Sequence, residues 1–264
     1  MGQTVFRFQA HKGVSSQFPE NTMPAFQAAV GEGYHVIELD NKFTKDDVCI
    51  CLHDSTLNRT CRFEDGTPLA DPMPADSLTL DEIRRFDAGL YKGEAFAKTR
   101  IPTLEEVIDF VGTSSNTHIK LDNVFQSFSQ KRFELLCAVV RTSGFEDRVG
   151  FTCKTLPYLA FLSERFPDSE LHYDGSMTED VLSYAKRHLK DRITLWVPYD
   201  NRSTSWCTEK KADRDYCAHL HEFGKVGIWI LSEQEELMRA ATEFGADIIE
   251  TNGELKPRDY TNKQ

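Results

Sequence analysis

None of the 264 residues belongs to an apolar run approaching the ~18 that a membrane-spanning helix needs. The first ten residues, MGQTVFRFQA, lack a signal-peptide core, so a cytoplasmic location is expected. Gly2 is followed by Phe6 where a myristoylation signal needs Ser or Thr. An excess of positive charge is missing too: the formal net charge is −11. That balance argues against nucleic acid and anionic membrane surfaces as partners. It also means that an anionic substrate needs local cations or a metal to offset the repelling field. No GxGxxG follows the first strand-like segment, so a doubly wound dinucleotide-binding sheet, the runner-up architecture, lacks its phosphate loop. The 7 cysteines are an odd number without framework spacing, which predicts free thiols instead of disulfides. No linker or low-complexity tract divides the chain, and 40% hydrophobic with 28% charged residues is ordinary for a globular protein. One domain spanning residues 1–264 is expected.

The most informative stretch present is HVIELDNKFTKDDVCICLHD, His35 to Asp54. Val36, Ile37, Leu39 and Phe43 are strand formers, residues 44–47 form a polar break, and Val48 to Leu52 are apolar again. So short a connection cannot hold a parallel crossover, so the two strands are antiparallel neighbours. Side chains alternate along a strand, which puts Glu38 and Asp40 on one face, about 6.6 Å apart. Ile37, Leu39 and Phe43 take the other face. Paired carboxylates in an apolar strand either sit on a solvated face or are compensated by a cation, and oxygen donors of this kind suit Mg²⁺ or Ca²⁺. Cys49, Cys51 and His53 share a face as well, but Cys49 and His53 lie ~13 Å apart along a strand. Zinc ligands must converge to ~2.3 Å, so a zinc site is excluded there.

The segment 55–100 contains Gly66, Pro68, Pro72 and Pro74 and one short helix capped by Thr79 and Glu82; it reads as an inserted subdomain or lid. Elsewhere strands and helices alternate. Thr22, Thr103, Ser176 and Ser232 are read as helix N-caps, the last three with Glu106, Glu179 and Glu235 completing capping boxes. Phe133, Leu136, Cys137 and Val140 mark an amphipathic helix over 129–142. Parallel strands are expected to begin near residues 5, 36, 117, 149, 170, 193, 226 and 247. Eight strands separated by helices are the pattern of an α/β (β/α)₈ TIM barrel, here with an antiparallel hairpin strand and an insertion after it. Active sites of such barrels lie at the C-terminal strand ends. That rule gathers His11, Glu38, Asp40, Lys120, Asp122, Lys154, Asp174, Trp229 and Glu250 on or near one rim, with His53 added from the hairpin. Two imidazoles among carboxylates and ammonium groups supply the base, the acid and the charge stabilisation that phosphodiester cleavage needs.

The ordered set AHKG (10–13), PENTMPAF (19–26), IELD (37–40), HDSTLNRT (53–60) and IPTLEEVIDF (101–110) resembles the glycerophosphodiester phosphodiesterase family. GIWILSEQEEL and GADIIETN, near the C-terminus, resemble its Trp-containing strand and its final strand. The resemblance implies hydrolysis of small glycerophosphodiesters to glycerol phosphate and an alcohol. It implies His11 and His53 as acid/base residues, Glu38 and Asp40 as ligands of a divalent metal, and Trp229 as a wall of the substrate pocket. Lys12 stands where the family has Arg, and would meet phosphate as a point charge instead of a fork. In the family the substrate's neighbouring hydroxyl attacks phosphorus, and water then opens the cyclic phosphate. One departure matters. The family's third strand reads Ile-Glu-x-Lys, whereas this chain has Ile119, Lys120, Leu121, Asp122. Either Lys120 replaces the ion, or Asp122 supplies the third carboxylate while Lys120 reaches the phosphate; the second arrangement is expected. Two further readings stay open: a phospholipase D-like lyase that stops at the cyclic phosphate, and an inactive ligand-binding barrel.

Overall fold

Each run of strand formers identified above does form a strand, and the strands close on themselves. The computed structural model describes residues 6–114, 116–122, 127–189, 191–200 and 210–261. Its strands are β1 (Arg7–Ala10), β2 (Val36–Phe43), β3 (Cys49–Cys51), β4 (His118–Asp122), β5 (Val149–Cys153), β6 (Glu170–Tyr173), β7 (Ile193–Pro198), β8 (Lys225–Trp229) and β9 (Ile248–Thr251). Their order is β1-β9-β8-β7-β6-β5-β4-β2, and β1 also pairs with β2 through Gln9↔Val36 and Ala10↔Ile37, which closes the barrel. Every pair around the barrel is parallel; β3 alone runs antiparallel, Asn41↔Cys51 to Phe43↔Cys49 on β2. The expected TIM barrel and its hairpin strand are therefore present. The expected starts at Val5 and the strand end at Asn123 lie outside the described residues, as does Cys207.

Around the barrel lie α1 (Met23–Gly31), α2 (Leu80–Ile83), α3 (Leu104–Gly112), α4 (Gln130–Thr142), α5 (Leu156–Arg165), α6 (Glu179–His188), α7 (Arg214–Leu220), α8 (Gln234–Thr242) and α9 (Arg258–Thr261). Thr79 with Glu82 and Thr103 with Glu106 form the expected reciprocal capping boxes. One further cap stands as expected without bonding through its side chain, and two differ. Thr22 occupies the N-cap, but its hydroxyl donates to the Pro19 carbonyl at 2.5 Å. At α6 the cap is Thr178, not Ser176, and Thr178 Oγ1 accepts from the Val181 N–H. At α8 the helix starts after Glu233, and Glu236, not Glu235, reaches back to the Ser232 and Glu233 N–H groups at 2.9 and 3.1 Å. In both helices Ser or Thr and acids recur within two residues, so the local pattern alone does not choose the register.

Along β2 the alternation separates two environments. Ile37, Leu39 and Phe43 join the core between strands and helices, with Ile119 and Leu121 of β4 and Leu104 and Val107 of α3. Burying such a side chain contributes about 1.5–3 kcal/mol. Glu38 and Asp40, each 1% exposed, point the other way, into the barrel. Residues 55–100 build a second apolar cluster on Ile50 and Leu52, using Leu57, Cys61, Leu69, Ile83 and Ala88. Buried Asp87 ties that segment together by accepting from the backbone N–H groups of Gly89, Leu90 and Lys98. Cys49, Cys51, Cys61, Cys137, Cys153 and Cys217 are free and buried. Burial pushes the Cys49 thiol up to about 12, so it packs protonated, as a small apolar group. Among the described residues no helix is long and apolar enough to cross a membrane.

Candidate active site

The loop after β1 sets the first part of the site. Lys12 and Gly13 adopt left-handed backbone with φ of 58° and 76°. Gly13 is required there, because a Cβ would stand 2.7 Å from Ala25 atoms of α1. The turn aims the Lys12 N–H at Glu38, whose Oε2 accepts it at 2.6 Å. His11 is oriented from the far side of the barrel closure, its Nδ1 lying 2.8 Å from Asn252 Oδ1 in the loop after β9. Asn21, also left-handed at φ 56°, clamps Asp40: its Nδ2 donates to Asp40 Oδ2 at 2.8 Å, and its Oδ1 accepts the Asp40 N–H at 3.1 Å.

The second imidazole enters from the segment after β3. His53 Nδ1 stands 2.6 Å from Asp54 Oδ1, a contact to a carboxylate that places a proton on Nδ1 and leaves Nε2 as the atom available for proton exchange. Asp54 is itself gripped by Arg59, whose Nε donates to Oδ2 at 2.7 Å. The same guanidinium forks onto Glu20, with both N–H···O distances 2.7 Å. Glu20 therefore does more than anchor its own loop: it joins the loop after β1 to the one bearing His53. The Tyr91 hydroxyl, accepting the Glu20 N–H at 2.9 Å, brings in the insertion.

On the barrel floor the register decides what meets. Glu38 pairs with Lys120, and Asp40 with Asp122. One oxygen each of Glu38, Asp40 and Asp122 lies within 4.8 Å of the others. Ligand distances of about 2.0–2.6 Å let three such oxygens surround one hard cation. Glu38 Oε1 is buried without a hydrogen-bond partner, as a metal-ligating oxygen is before an ion is added. The donor set thus fits Mg²⁺ or Ca²⁺. Lys120 Nζ lies 3.6 Å from Asp122 Oδ1 and 4.0 Å from Glu250 Oε2.

Burial, then the Asp40 and Asp122 charges, push the Glu38 carboxyl well above its usual range, and Lys120 offsets this only in part. Burial works against the Lys120 ammonium, yet Asp122, Glu250 and Glu38 outweigh it and keep the group protonated. Burial alone would raise Asp122, but Lys120 and Lys154 hold it low. Asp174 is pushed up to about 6 by burial and by Asp122, although Lys154 stands 3.5 Å away.

These groups share one cavity of about 190 Å³. His11, Lys12, Asp40, His53, Lys120, Asp122 and Trp229 line it, so the structure brings together the residues that the sequence singled out; Glu38 adjoins it through the carboxylate cluster. Lys154, Asp174 and Glu250 face the same space, as the strand-end rule places them. Trp196, a cavity wall on β7, carried no signal in the sequence beyond its place in an apolar strand. Asn21, Arg59 and Asn252 were also not singled out, although Asn21 and Arg59 lie inside matched motifs. A larger cavity, about 320 Å³, opens within the insertion beside Glu64, Asp87 and Glu94, but no histidine reaches it.

Residues 11–226 match the model of the glycerophosphoryl diester phosphodiesterase family. The chain belongs to that family. A glycerophosphodiester phosphodiesterase of Bacillus altitudinis is 33% identical over 183 residues, 69% of this chain and 70% of the relative. One from Caldanaerobacter subterraneus subsp. tengcongensis is 37% identical over 143 residues, and that match spans only about half of either protein, 53% of this chain and 54% of the relative. Among solved structures, an Oleispira antarctica phosphodiesterase in complex with the product sn-glycerol-3-phosphate superposes with a TM-score of 0.75 at 18% identity, covering 94% of both chains. A glycerophosphodiester phosphodiesterase from Agrobacterium tumefaciens gives 0.66 at 19% identity, covering 94% of this chain and 96% of the other. These two likenesses concern the fold.

Proposed function

We propose that this family member is a phosphoric diester hydrolase that cleaves small glycerophosphodiesters to glycerol phosphate and an alcohol. The observation that carries the reading is the meeting, in one cavity, of two histidines oriented through Nδ1 and a three-carboxylate cluster. The cavity of about 190 Å³ lies below the size of pockets for drug-sized ligands, about 300 Å³ and upward, which favours a deacylated substrate over a lipid. The product held by the Oleispira relative, sn-glycerol-3-phosphate, is of that size class.

His11 and His53 divide the proton work. One Nε2 accepts the proton of the attacking hydroxyl, which is the neighbouring hydroxyl of the substrate's glycerol. The other imidazole, protonated, gives its proton to the leaving alkoxide. In the second half the roles reverse, and water opens the cyclic phosphate. Asp54 keeps His53 in one tautomer, and Asn252 orients His11. Lys12 and Lys120 bring positive charge to the phosphate, and Trp229 walls the substrate pocket. Glu38, Asp40 and Asp122 would hold a divalent cation, Mg²⁺ or Ca²⁺, which supplies Lewis-acid stabilisation of the charge developing on phosphorus-bound oxygen.

The test is ³¹P NMR of glycerophosphocholine incubated with the protein and Mg²⁺ or Ca²⁺. Glycerol phosphate is the expected product. Accumulation of a cyclic phosphate would identify a lyase that stops after the first step. An unchanged spectrum with both ions would leave a binding barrel without turnover.

A further inference from the structure

A lysine beside a cation site is an electrostatic conflict: an ammonium and a metal ion competing for the same carboxylates repel each other. This chain has put Lys120 directly opposite Glu38 in the β2–β4 ladder. The structure also holds a feature that answers the conflict. Lys120 Nζ lies 4.6 Å from the centre of the Trp196 ring, within the range at which a ring face attracts a cation. Trp196 is 3% exposed and Lys120 5%, so little water screens the contact. The indole is fixed at its other edge, where its N–H donates to His172 Nδ1 at 3.1 Å.

Two glycines make room for this stack. A Cβ on Gly227, the β8 neighbour of Trp196, would stand 2.6 Å from the indole ring. A Cβ on Gly150 of β5 would stand 2.4 Å from His172 Nε2. Gln9, Glu250 and Lys120 complete the floor: Gln9 Nε2 donates to Glu250 Oε2, the oxygen 4.0 Å from the ammonium. Lys120 is therefore drawn from three sides, by Asp122 at 3.6 Å, by Glu250 across the barrel at 4.0 Å and by the Trp196 face, and of the three clustered carboxylates it reaches ion-pair distance of Asp122 alone.

We propose that Trp196, locked by His172 and accommodated by Gly227, is a positioning residue that seats the Lys120 ammonium on the barrel floor and so lets a cation occupy Glu38, Asp40 and Asp122 beside it. The inference rests on the cation-dependent reading of the site given above. Without the ring, the ammonium swings toward the carboxylates and competes with the ion; without the lysine, the ring has nothing to restrain.

The experiment is a double-mutant cycle read by Ca²⁺ binding to the full chain, by calorimetry without substrate. Trp196→Leu is expected to weaken Ca²⁺ binding at least fivefold. Lys120→Met is expected to bind as well as wild type or better, and Trp196→Leu in the Lys120→Met background to cost less than twofold. A purely structural Trp196 would cost the same with or without Lys120, and equal losses in the two backgrounds overturn the seat while leaving the cation site standing. If wild type, titrated with Ca²⁺ and then Mg²⁺, binds neither, the cation reading fails and the seat fails with it. Should Trp196→Leu not fold, Trp196→Phe, which keeps a ring but loses the bond to His172, replaces it. At least a twofold Lys120-dependent loss is then expected, and no Lys120 dependence overturns the proposal.

Discussion

Arg59 grips both the partner of His53 and the loop of Lys12, so its removal tests the site's scaffolding directly. Burial raises the Glu20 carboxyl, and the Arg59 fork, helped by the charges of Lys12 and His53, more than reverses this, holding it at about 2 instead of the ordinary 4.5. By linkage that depression corresponds to roughly 3 kcal/mol. The Arg59 side chain is 46% exposed, so solvent screens part of the interaction, and Arg59→Met is expected to destabilise by on the order of 1–2 kcal/mol at pH 7. The sign of the pH dependence follows from a depressed carboxyl. Its contribution is complete above the unfolded value near 4.5 and disappears as pH falls through about 2. Urea denaturation of wild type and Arg59→Met at pH 7 and pH 3 should therefore show a gap that shrinks to about half or less at the lower pH. Turnover should fall at least about tenfold in the folded variant, because Asp54 loses its grip and His53 its fixed orientation. Equal urea midpoints at pH 7, or a gap undiminished at pH 3, would refute the reasoning.

His11→Ala and His53→Ala should each lower turnover at least about a hundredfold while leaving the melting temperature near wild type, and near-normal turnover in either removes that residue from the mechanism. Millimolar Mg²⁺ or Ca²⁺ should raise the melting temperature of the wild-type protein by mass action, and Asp40→Asn should abolish most of the increase. Unchanged melting with ion, together with activity that survives EDTA, contradicts a metal at the cluster. Gly227→Ala should destabilise by about 1–3 kcal/mol in thermal melts, since its Cβ would overlap the Trp196 ring, whereas Gly31→Ala, at the end of α1 with open space around its Cβ, should be neutral to stabilising by up to about 1 kcal/mol.

The barrel was legible because its signals are local. Alternation along β2 separates Ile37 and Leu39 from Glu38 and Asp40 within five residues, and a four-residue break is enough to fix β3 as antiparallel. Thr79–Glu82 and Thr103–Glu106 cap their helices through bonds three residues long. The motifs single out His11, His53 and Trp229 and the strand-end rule adds Asp122, and these four do line one cavity. What escaped was set by contacts across the fold. Asn252 reaches His11 over a separation of 241 residues, Arg59 reaches Glu20 over 39, and Asn21 reaches Asp40 over 19. Trp196 reads as one more apolar residue in ITLWV until Gly227, His172 and Lys120 are seen around it.

The exchange of acid and base on β4 illustrates how much depends on register. Two residues along a strand return to the same face about 6.6 Å further on. Placing the acid at 122 instead of 120 moves it along the strand from Glu38, but β4 runs parallel to β2 with Asp40 opposite Asp122. The carboxylate therefore lands beside the second acid of β2 instead of the first, and the three oxygens still converge within 4.8 Å. The lysine, moved the other way, falls deeper in the barrel, where a bare ammonium is costly. There Glu250 of β9 and the Trp196 face of β7 stand within 4.0 and 4.6 Å of it. Glu250, an acid in an otherwise apolar final strand, is thus accounted for by the same exchange: moving a cation into the floor of a barrel requires an anion across from it. Substituting Glu250 alone would remove the ion-pair partner at 4.0 Å and leave Lys120 to Asp122, at 3.6 Å, which draws the ammonium toward the carboxylates that an ion would need.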